Sequence, residues 1–195
     1  MSTTPQPEHL SRKRGIHGSR ALRRLVAASG LGVLVLGGSA AALPGAGEPV
    51  PTLAAKDLLG QPHESQEWEG RPTMLVVITD QHGGDEMRRW FDTANTRVPE
   101  EVHRASIISL GLPFYVSTGM VRSRAKEQVP QQFWHDTWAD KDAKMAKALG
   151  LATSRQPYVL AVDEHGQVLA SVHGTVDSPE AQVIWDALAG QQHPR

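Results

Sequence analysis

The sequence predicts an α/β domain with a mixed sheet and helices on both of its faces, preceded by an amino-terminal export segment. Three continuous apolar runs rich in β-branched residues, at 73–79, 105–112 and 157–163, are typical of strands covered on both faces. Helical patterns lie between these runs, and the third run leads through a turn at 164–166 into another extended stretch, 167–174. Parallel strands joined by helices and finished by an antiparallel hairpin and a helix form such a sheet.

The domain is predicted to begin with two short extended pieces. The first is 50–56, and the turn at 57–60 leads into the second. A further turn at 69–72 precedes the first apolar run.

The helix after the first run has the clearest signal in the chain. Its apolar residues recur at i, i+3, i+4 and i+7, namely Met87, Trp90, Phe91 and Ala94. Asp85 and Glu86 lie in its first turn, where the helix dipole favours carboxylates.

Three further helices are predicted. The first is capped by Ser117 or Thr118 and ends at Pro130. A short helix follows over 140–150, with a glycine at its carboxyl end. The last helix opens at 178–180, which supplies a cap and a proline at the first helical position. The stretch between the first two contains Trp134 and Trp138, which we interpret as core residues.

The composition excludes several kinds of chemistry. The 195 residues contain no cysteine, so disulfides, thiolate nucleophiles, cysteine-ligated zinc and Fe–S clusters are ruled out. Six of the 20 basic residues and one of the 21 acidic residues lie in 1–42, which leaves 14 basic and 20 acidic residues and a net charge of −6 in the remainder. We therefore expect no nucleic-acid partner.

The amino-terminal segment has the pattern of an export signal. A basic flank precedes an uncharged stretch at 25–43, and Ala40-Ala41-Ala42 gives the small-x-small motif of a cleavage site after Ala42. Arg23-Arg24 matches a twin-arginine signal loosely, so either export route is possible. The alternative is an uncleaved anchor, since 19 uncharged residues suffice to span a bilayer. In both cases the folded domain faces outward.

Four segments follow from these patterns. They are a signal peptide or uncleaved anchor (1–42), a linker rich in proline and glycine (43–51), one domain (52–190) and a short tail (191–195).

Three stretches together resemble the thioredoxin-like superfamily, in particular its periplasmic thioredoxin-like and peroxiredoxin-like domains. "DLLGQP" followed by "WEGRPTMLVVIT" resembles the first half of such domains up to the central strand. "DKDAKMAKALGL" and "QPYVLAVDEHGQVLASVHG" resemble their second half. The resemblance covers nearly all of 50–190 and implies a thioredoxin-like fold.

The resemblance also implies where a functional site would lie. Redox-active relatives carry one or two cysteines in the turn after the central strand, but this turn reads "DQHGGDEM". We therefore predict a cysteine-less member without oxidoreductase or peroxidase activity. By position, the candidate binding residues are His82, Gly83, Gly84, Asp85, Gln156 and Pro157. Pro157 matches the cis-proline that faces this turn in relatives, and we expect it to be cis.

The turn itself has two interpretations. In the first, the two glycines make a tight turn, Asp85 caps the helix and His82 is simply exposed. In the second, His82 and Asp85 are partners in catalysis or metal binding. The other histidines of the domain show no metal-binding spacing and are interpreted mostly as surface or turn residues: His63, His103, His135, His165 and His173. We accordingly expect no cofactor and no metal ligand.

The predicted function is that of an exported, redox-inactive binding or interaction module in the periplasm or cell envelope. The expected partner is an envelope protein or peptide segment, and membrane contact is expected only through residues 25–43 if the signal is uncleaved. The alternative is a non-redox enzyme or metal-binding protein that uses His82 and Asp85.

Overall fold

A computed structural model describes residues 43–190 of the chain. The seven strands are β1 (Ala54–Asp57), β2 (Pro62–Glu64), β3 (Thr73–Ile78), β4 (His103–Ser109), β5 (Thr137–Asp140), β6 (Tyr158–Val162) and β7 (Val168–His173). The helices are α1 (Gly84–Arg97), α2 (Thr118–Lys126), α3 (Lys144–Ala148) and α4 (Gln182–Ala189), with short 3-10 turns at Ser65–Trp68, Gln131–Phe133 and Pro179–Ala181.

The strands form one mixed sheet in the order β2-β1-β5-β4-β3-β6-β7. Strands β3, β4 and β5 are parallel, whereas β1, β2, β6 and β7 pair antiparallel to their neighbours. All six residues of β3 and all five of β6 are buried, as expected for strands with both faces covered. The three apolar runs of the sequence are therefore β3, β4 and β6, and the predicted mixed sheet is confirmed.

Each face of the sheet carries its own core. Helices α1, α2 and α4 cover one face through buried residues that include Trp90, Val121 and Ile184. Helix α3 and the turn at Ser65–Trp68 cover the other face, where Met145 and Trp68 are buried. The prediction of helices on both faces is confirmed.

Strand β5 is absent from the sequence prediction, which passes from the second helix directly to the third. Its residues Thr137, Trp138 and Ala139 are buried, but Asp136 and Asp140 flank them, so no apolar run marks the strand. Trp138 lies in the α3-side core, whereas Trp134, which precedes the strand, packs against the opposite core. Both tryptophans therefore pack in a core as the sequence predicts, Trp138 fully buried and Trp134 half-buried.

The segment 43–51, predicted as a linker, lies against the carboxyl-terminal hairpin. Gly47 N–H donates to the carbonyl of Val168 at 2.8 Å, and Val168 N–H donates to the carbonyl of Glu48 at 2.9 Å. The hydroxyl of Ser171 donates to the carbonyl of Pro44 at 2.8 Å. These bonds dock the segment on β7 as an irregular extension of the sheet. The predicted segments 1–42 and 191–195 lie outside the described residues.

The predicted starts of α2 and of the last helix are confirmed, whereas α1 and α3 begin at other residues than predicted. Ser117 caps α2, since its hydroxyl accepts the N–H of Met120 at 3.1 Å. Helix α3 begins at Lys144 rather than near Asp140, because the Asp140 carboxylate accepts the N–H groups of Lys144 and Met145 from outside the helix. The last helix opens as the 3-10 turn Pro179–Ala181 before it continues as α4.

Candidate functional site

The turn after β3 is organised by Asp80. The carboxylate oxygen Oδ1 of Asp80 accepts the backbone N–H of His82 at 2.8 Å and lies 2.7 Å from Nδ1 of the His82 ring. The carbonyl of Asp80 accepts the N–H of Gly83 at 3.1 Å, which closes the turn. The hydrogen bond from the His82 backbone lowers the pKa of Asp80, and the bond from the ring lowers it further. His82 is thus an exposed side chain held by Asp80, a residue that the sequence analysis did not select.

Both glycines of the turn have negative φ. Gly83 has φ −77°, and neither Gly83 nor Gly84 is among the described residues with positive φ. A Cβ added at Gly83 would lie 3.0 Å from Cγ2 of Ile78 and 3.4 Å from the carbonyl of Asp80. The close approach of β3 to the start of α1, rather than a left-handed backbone, therefore favours glycine at 83.

The prediction that Asp85 caps the helix is wrong. Helix α1 begins at Gly84, its N-cap is Gly83, and no side chain hydrogen-bonds the cap. Asp85 lies one residue inside the helix, where its charge faces the positive end of the helix dipole. Within residues 43–190, no hydrogen bond or ion pair joins His82 to Asp85, because the ring of His82 turns towards Asp80 instead.

Gln156 and Pro157 lie at the same end of the sheet as this turn. Val77 near the end of β3 is paired with Tyr158 at the start of β6, which brings Pro157 opposite the beginning of the turn. Thr79 fastens the two segments, since its hydroxyl donates to the carbonyl of Ala152 and accepts the N–H of Ser154, both at 2.9 Å. Pro157 is buried and Gln156 is exposed. The cis state of Pro157 stays a prediction.

An open groove begins at the turn and runs along α2. It has a volume of about 1110 Å³ and is bordered by the turn residues Gln81 and His82 on one side. Its floor and its far wall are mostly aliphatic, formed by Ile78, Ile108, Leu110, Leu112, Val116 and Val121. Met120 lines the groove and is 59% exposed. The groove is thus a concave apolar surface next to the predicted site.

A smaller cavity of about 240 Å³ adjoins the groove. It shares Ile78, Ile108, Ala125 and Gln128 with the groove and extends between α1 and Phe133. Gly84 and Asp85 line this cavity, whereas His82 lines the groove. Four of the six predicted residues therefore surround a concavity or shape the turn beside it, and Gln156 and Pro157 border neither space.

The histidines of the domain are less uniform than the sequence indicated. His165 is an exposed residue at the β6–β7 turn, as predicted. His63, in contrast, is buried, and it lies beside His135 and Asp57 on the α3 side of the sheet. This is the one group of three or more potential metal ligands within residues 43–190. Asp57 and His63 are six residues apart, but His135 lies in a distant part of the chain, so no local motif in the sequence could reveal the group.

Comparisons with known proteins identify the fold. No family model and no curated protein matches the chain. Among solved structures, an uncharacterized conserved protein from Geobacillus kaustophilus is similar, with 18% identity, a TM-score of 0.56, and coverage of 77% of this chain and 85% of the other.

Two structures of redox proteins are also similar. Peroxidoxin BcpB from Mycobacterium tuberculosis has 14% identity and a TM-score of 0.51, with 77% of this chain and 99% of the other covered. The thioredoxin domain of a thiol-disulfide oxidoreductase from Bacteroides vulgatus has 10% identity and a TM-score of 0.51, with 74% and 96% covered. The described chain therefore has the thioredoxin-like fold that the sequence predicts.

The absence of cysteine separates this chain from the chemistry named for those redox proteins. Disulfide exchange and thiol-dependent peroxide reduction both need a thiolate, and the chain contains no cysteine to supply one. Within residues 43–190, no helix has the length and hydropathy that a membrane span requires. The site therefore consists of a concave apolar surface, bordered by a polar turn that hydrogen bonds to Asp80 hold in place.

Proposed function

We propose that the protein is an exported, redox-inactive thioredoxin-like domain that binds an extended segment of an envelope protein in the groove between the His82 turn and α2. The observation that carries this proposal is the open apolar groove of about 1110 Å³ beside the turn. A concave, mostly apolar surface with a few polar groups at its border is the usual form of a binding site.

Exposed apolar side chains around the groove support the proposal. Phe114 is 93% exposed, Tyr115 is 72% exposed, and both lie in the loop between groove residues Leu112 and Val116. Together with Met120 they place three large apolar side chains in solvent on one side of the domain. Apolar residues grouped in this way mark interaction surfaces, because their exposure has no benefit for an isolated domain.

The neighbouring cavity supports a segment with an apolar anchor. Its volume of about 240 Å³ suits one large side chain, and it shares four residues with the groove. Binding energy in protein interfaces concentrates in such anchors, which fill pockets that exclude water. An extended segment along the groove would present one apolar side chain to this cavity.

Residues 1–42 support a location in the envelope. Their basic flank, uncharged stretch and Ala40-Ala41-Ala42 motif form an export pattern. Fractionation and amino-terminal sequencing test this part of the proposal. We expect the mature protein to begin near Leu43 and to be outside the cytoplasm, and full-length protein in the soluble cytoplasmic fraction would contradict it.

Site-specific photocrosslinking in cells tests the groove. A crosslinking amino acid at Met120 should capture a specific envelope protein, whereas the same amino acid at Glu100, exposed in the loop between α1 and β4, should not. A peptide from the captured region should then bind the purified protein.

A matched pair of substitutions separates binding from folding. Met120→Glu should weaken binding of that peptide at least about tenfold, because the groove loses apolar contact and gains an unpaired charge. Val183→Glu, at a 46% exposed apolar residue on α4, should leave binding unchanged. Equal binding by the two variants, with equal melting temperatures, would overturn the proposed groove.

A further inference from the structure

Three potential metal ligands converge on the α3 side of the sheet, on the face opposite the groove. Nε2 of His63 lies 3.2 Å from Oδ2 of Asp57, and Nδ1 of His135 lies 3.4 Å from the same oxygen. The three ligand atoms all lie within 4.8 Å of one another. The cluster therefore consists of two imidazoles that meet at one carboxylate oxygen.

The sheet brings these residues together. His63 is the middle residue of β2, where it is paired with Ala55 of β1, and Asp57 at the end of β1 is paired with Trp138 of β5. Leu58 N–H donates to the carbonyl of Trp134 at 3.1 Å, which holds the start of the 135–136 loop beside Asp57. The positions of all three ligands are thus fixed by backbone pairing.

Neighbouring side chains also fix the orientation of the two buried ligands. Asp57 is fully buried, and its other oxygen, Oδ1, accepts the N–H of Gln61 at 2.8 Å. The ring of His63 stacks on Trp138 with centroids 5.5 Å apart, and Trp138 stacks in turn on Trp68 at 4.5 Å. Such packing leaves Oδ2 of Asp57 and Nε2 of His63 facing each other with little freedom.

Glu67 orients the imidazole of His63 from behind. Nδ1 of His63 lies 2.6 Å from Oε2 of Glu67, and Oε1 of Glu67 accepts the N–H of Glu64. A carboxylate accepts only, so Nδ1 of His63 carries a proton, and when the ring is neutral Nε2 presents its lone pair towards Asp57. Two acceptors then face each other unless a proton or a cation lies between them. A carboxylate behind a ligating histidine is the usual second interaction of metal sites.

We propose that Asp57, His63 and His135 form a site for a divalent transition-metal ion, with Zn²⁺ as its preferred occupant. Ligand atoms around tetrahedral zinc lie about 3.3–3.4 Å apart, given zinc–ligand distances of about 2.0–2.1 Å. The two separations at Oδ2 of Asp57 match that edge. Two imidazole nitrogens disfavour Ca²⁺ and Mg²⁺, which select oxygen ligands.

The fourth coordination position opens towards solvent. The side chain of His135 is 58% exposed, whereas those of His63 and Asp57 are buried. Three protein ligands with one position left for water are the arrangement of zinc sites that bind an exogenous ligand. The site is separate from the groove in every lining residue, so it is independent of the proposed binding function.

Zinc titration of the full-length chain tests the site. The protein is prepared without a histidine tag, stripped with chelator and titrated with Zn²⁺ by calorimetry, and zinc content is measured after gel filtration. We expect one saturable zinc site per chain and a melting temperature that rises with zinc. Cobalt should substitute for zinc and give visible absorption bands of low-coordinate Co²⁺.

Exposed residues provide variants that fold. His135→Ala should weaken zinc binding at least about tenfold and abolish the cobalt bands, and Glu67→Ala should weaken it roughly tenfold or more through loss of ring orientation. His165→Ala, at another exposed histidine, and His82→Ala should leave both readouts unchanged. Wild-type zinc affinity in the His135→Ala variant, or the lack of any saturable binding in the wild type, would overturn the proposal.

Discussion

At the start of α1, Gly83 lies in contact with the end of β3, and the space available there explains its residue type. The added Cβ would approach both Cβ and Cγ2 of Ile78, a buried residue of the central strand. Ile78 is β-branched and cannot swing its methyl groups away without a new rotamer. The contact therefore couples the geometry of the turn to the packing of the α1-side core.

Gly83→Ala should lower the free energy of unfolding by about 1–3 kcal/mol, the usual effect of an extra methyl group in a packed region. Gly84→Ala provides the control, because its Cβ would meet only Oε1 of Gln128 at 3.1 Å, the mobile end of a long side chain. We expect that variant to stay within about 0.5 kcal/mol of the wild type. Urea denaturation measures both, and equal losses would contradict the packing argument.

Asp85→Ala should destabilise the protein by about 0.3–1 kcal/mol, through loss of a carboxylate at the positive end of α1. The larger loss expected from removal of a capping side chain does not apply, because Asp85 makes no cap bond. The effect should shrink in high salt, which screens the dipole. His82→Ala should change stability by less than about 0.5 kcal/mol. Denaturant melts of both variants at two salt concentrations check these expectations. A loss of stability in Asp85→Ala that does not depend on salt would rule out the helix dipole as its cause.

Among the elements, α2 forms one wall of the groove, and its start depends on a single hydroxyl. Ser117 Oγ accepts the N–H of Met120, the same residue whose side chain is exposed in the groove. The cap therefore fixes both the first turn of the helix and the position of an apolar side chain that we assign to partner binding.

Ser117→Ala should lower the free energy of unfolding by about 0.5–2 kcal/mol, the usual loss for a capping serine. Ser178→Ala is a matched control, because Ser178 precedes a helical turn but its buried hydroxyl has no hydrogen-bond partner within the described chain. We expect no loss there, and a small gain is consistent with removal of an unpaired polar group. Thermal melts compare the two, and a larger loss for Ser178→Ala would show that capping does not govern these sites.

The elements that could be predicted from the sequence are those whose burial is visible in a local pattern of apolar residues. Strands β3 and β6 are unbroken apolar runs, and α1 repeats apolar residues at helical spacing. Strand β5 has only four residues and ends at Asp140, whose carboxylate accepts N–H groups at the start of α3, so its pattern resembles a loop. Its place in the sheet is decided by pairing with β4 and β1, which no local window contains.

The turn at 80–85 and the cluster of Asp57, His63 and His135 also differ in how far the sequence predicts them. The turn at 80–85 could be located from its position after β3, but its partner Asp80 and the groove beside it depend on the packing of α2. The cluster of Asp57, His63 and His135 requires β1 to lie between β2 and β5. The spacing of these three residues in the sequence does not indicate that arrangement.

Across the whole molecule, pH dependence of stability should reflect His103 at the start of β4. The pKa of His103 is lowered from 6.5 to about 4, first by burial and then by the nearby charge of Arg71, and Asp136, whose Oδ1 lies 3.4 Å from Nε2, opposes the change only in part. The folded state therefore disfavours the protonated ring, whereas the unfolded chain takes up a proton below pH 6.5.

The free energy of unfolding should consequently fall as the pH is lowered from 6.5 to about 4, with His103 responsible for up to about 3 kcal/mol of the fall, at about 1.4 kcal/mol for each pKa unit. His103→Gln should remove this part and flatten the curve. Urea melts across this pH range provide the measurement. They are carried out with chelator, so that His135, a ligand of the proposed zinc site, is free of metal. Parallel curves for the variant and the wild type would show that His103 does not contribute.

The docking of residues 44–50 on the carboxyl-terminal hairpin has a consequence for the order of events during export. Pro44 is buried and Gly47 N–H donates to the carbonyl of Val168, so packed chain lies within two residues of the predicted cleavage point after Ala42. A peptidase needs an extended, accessible substrate on both sides of the bond that it cuts. If the chain is cleaved after Ala42 as proposed, cleavage should therefore come before β7 forms and receives the segment.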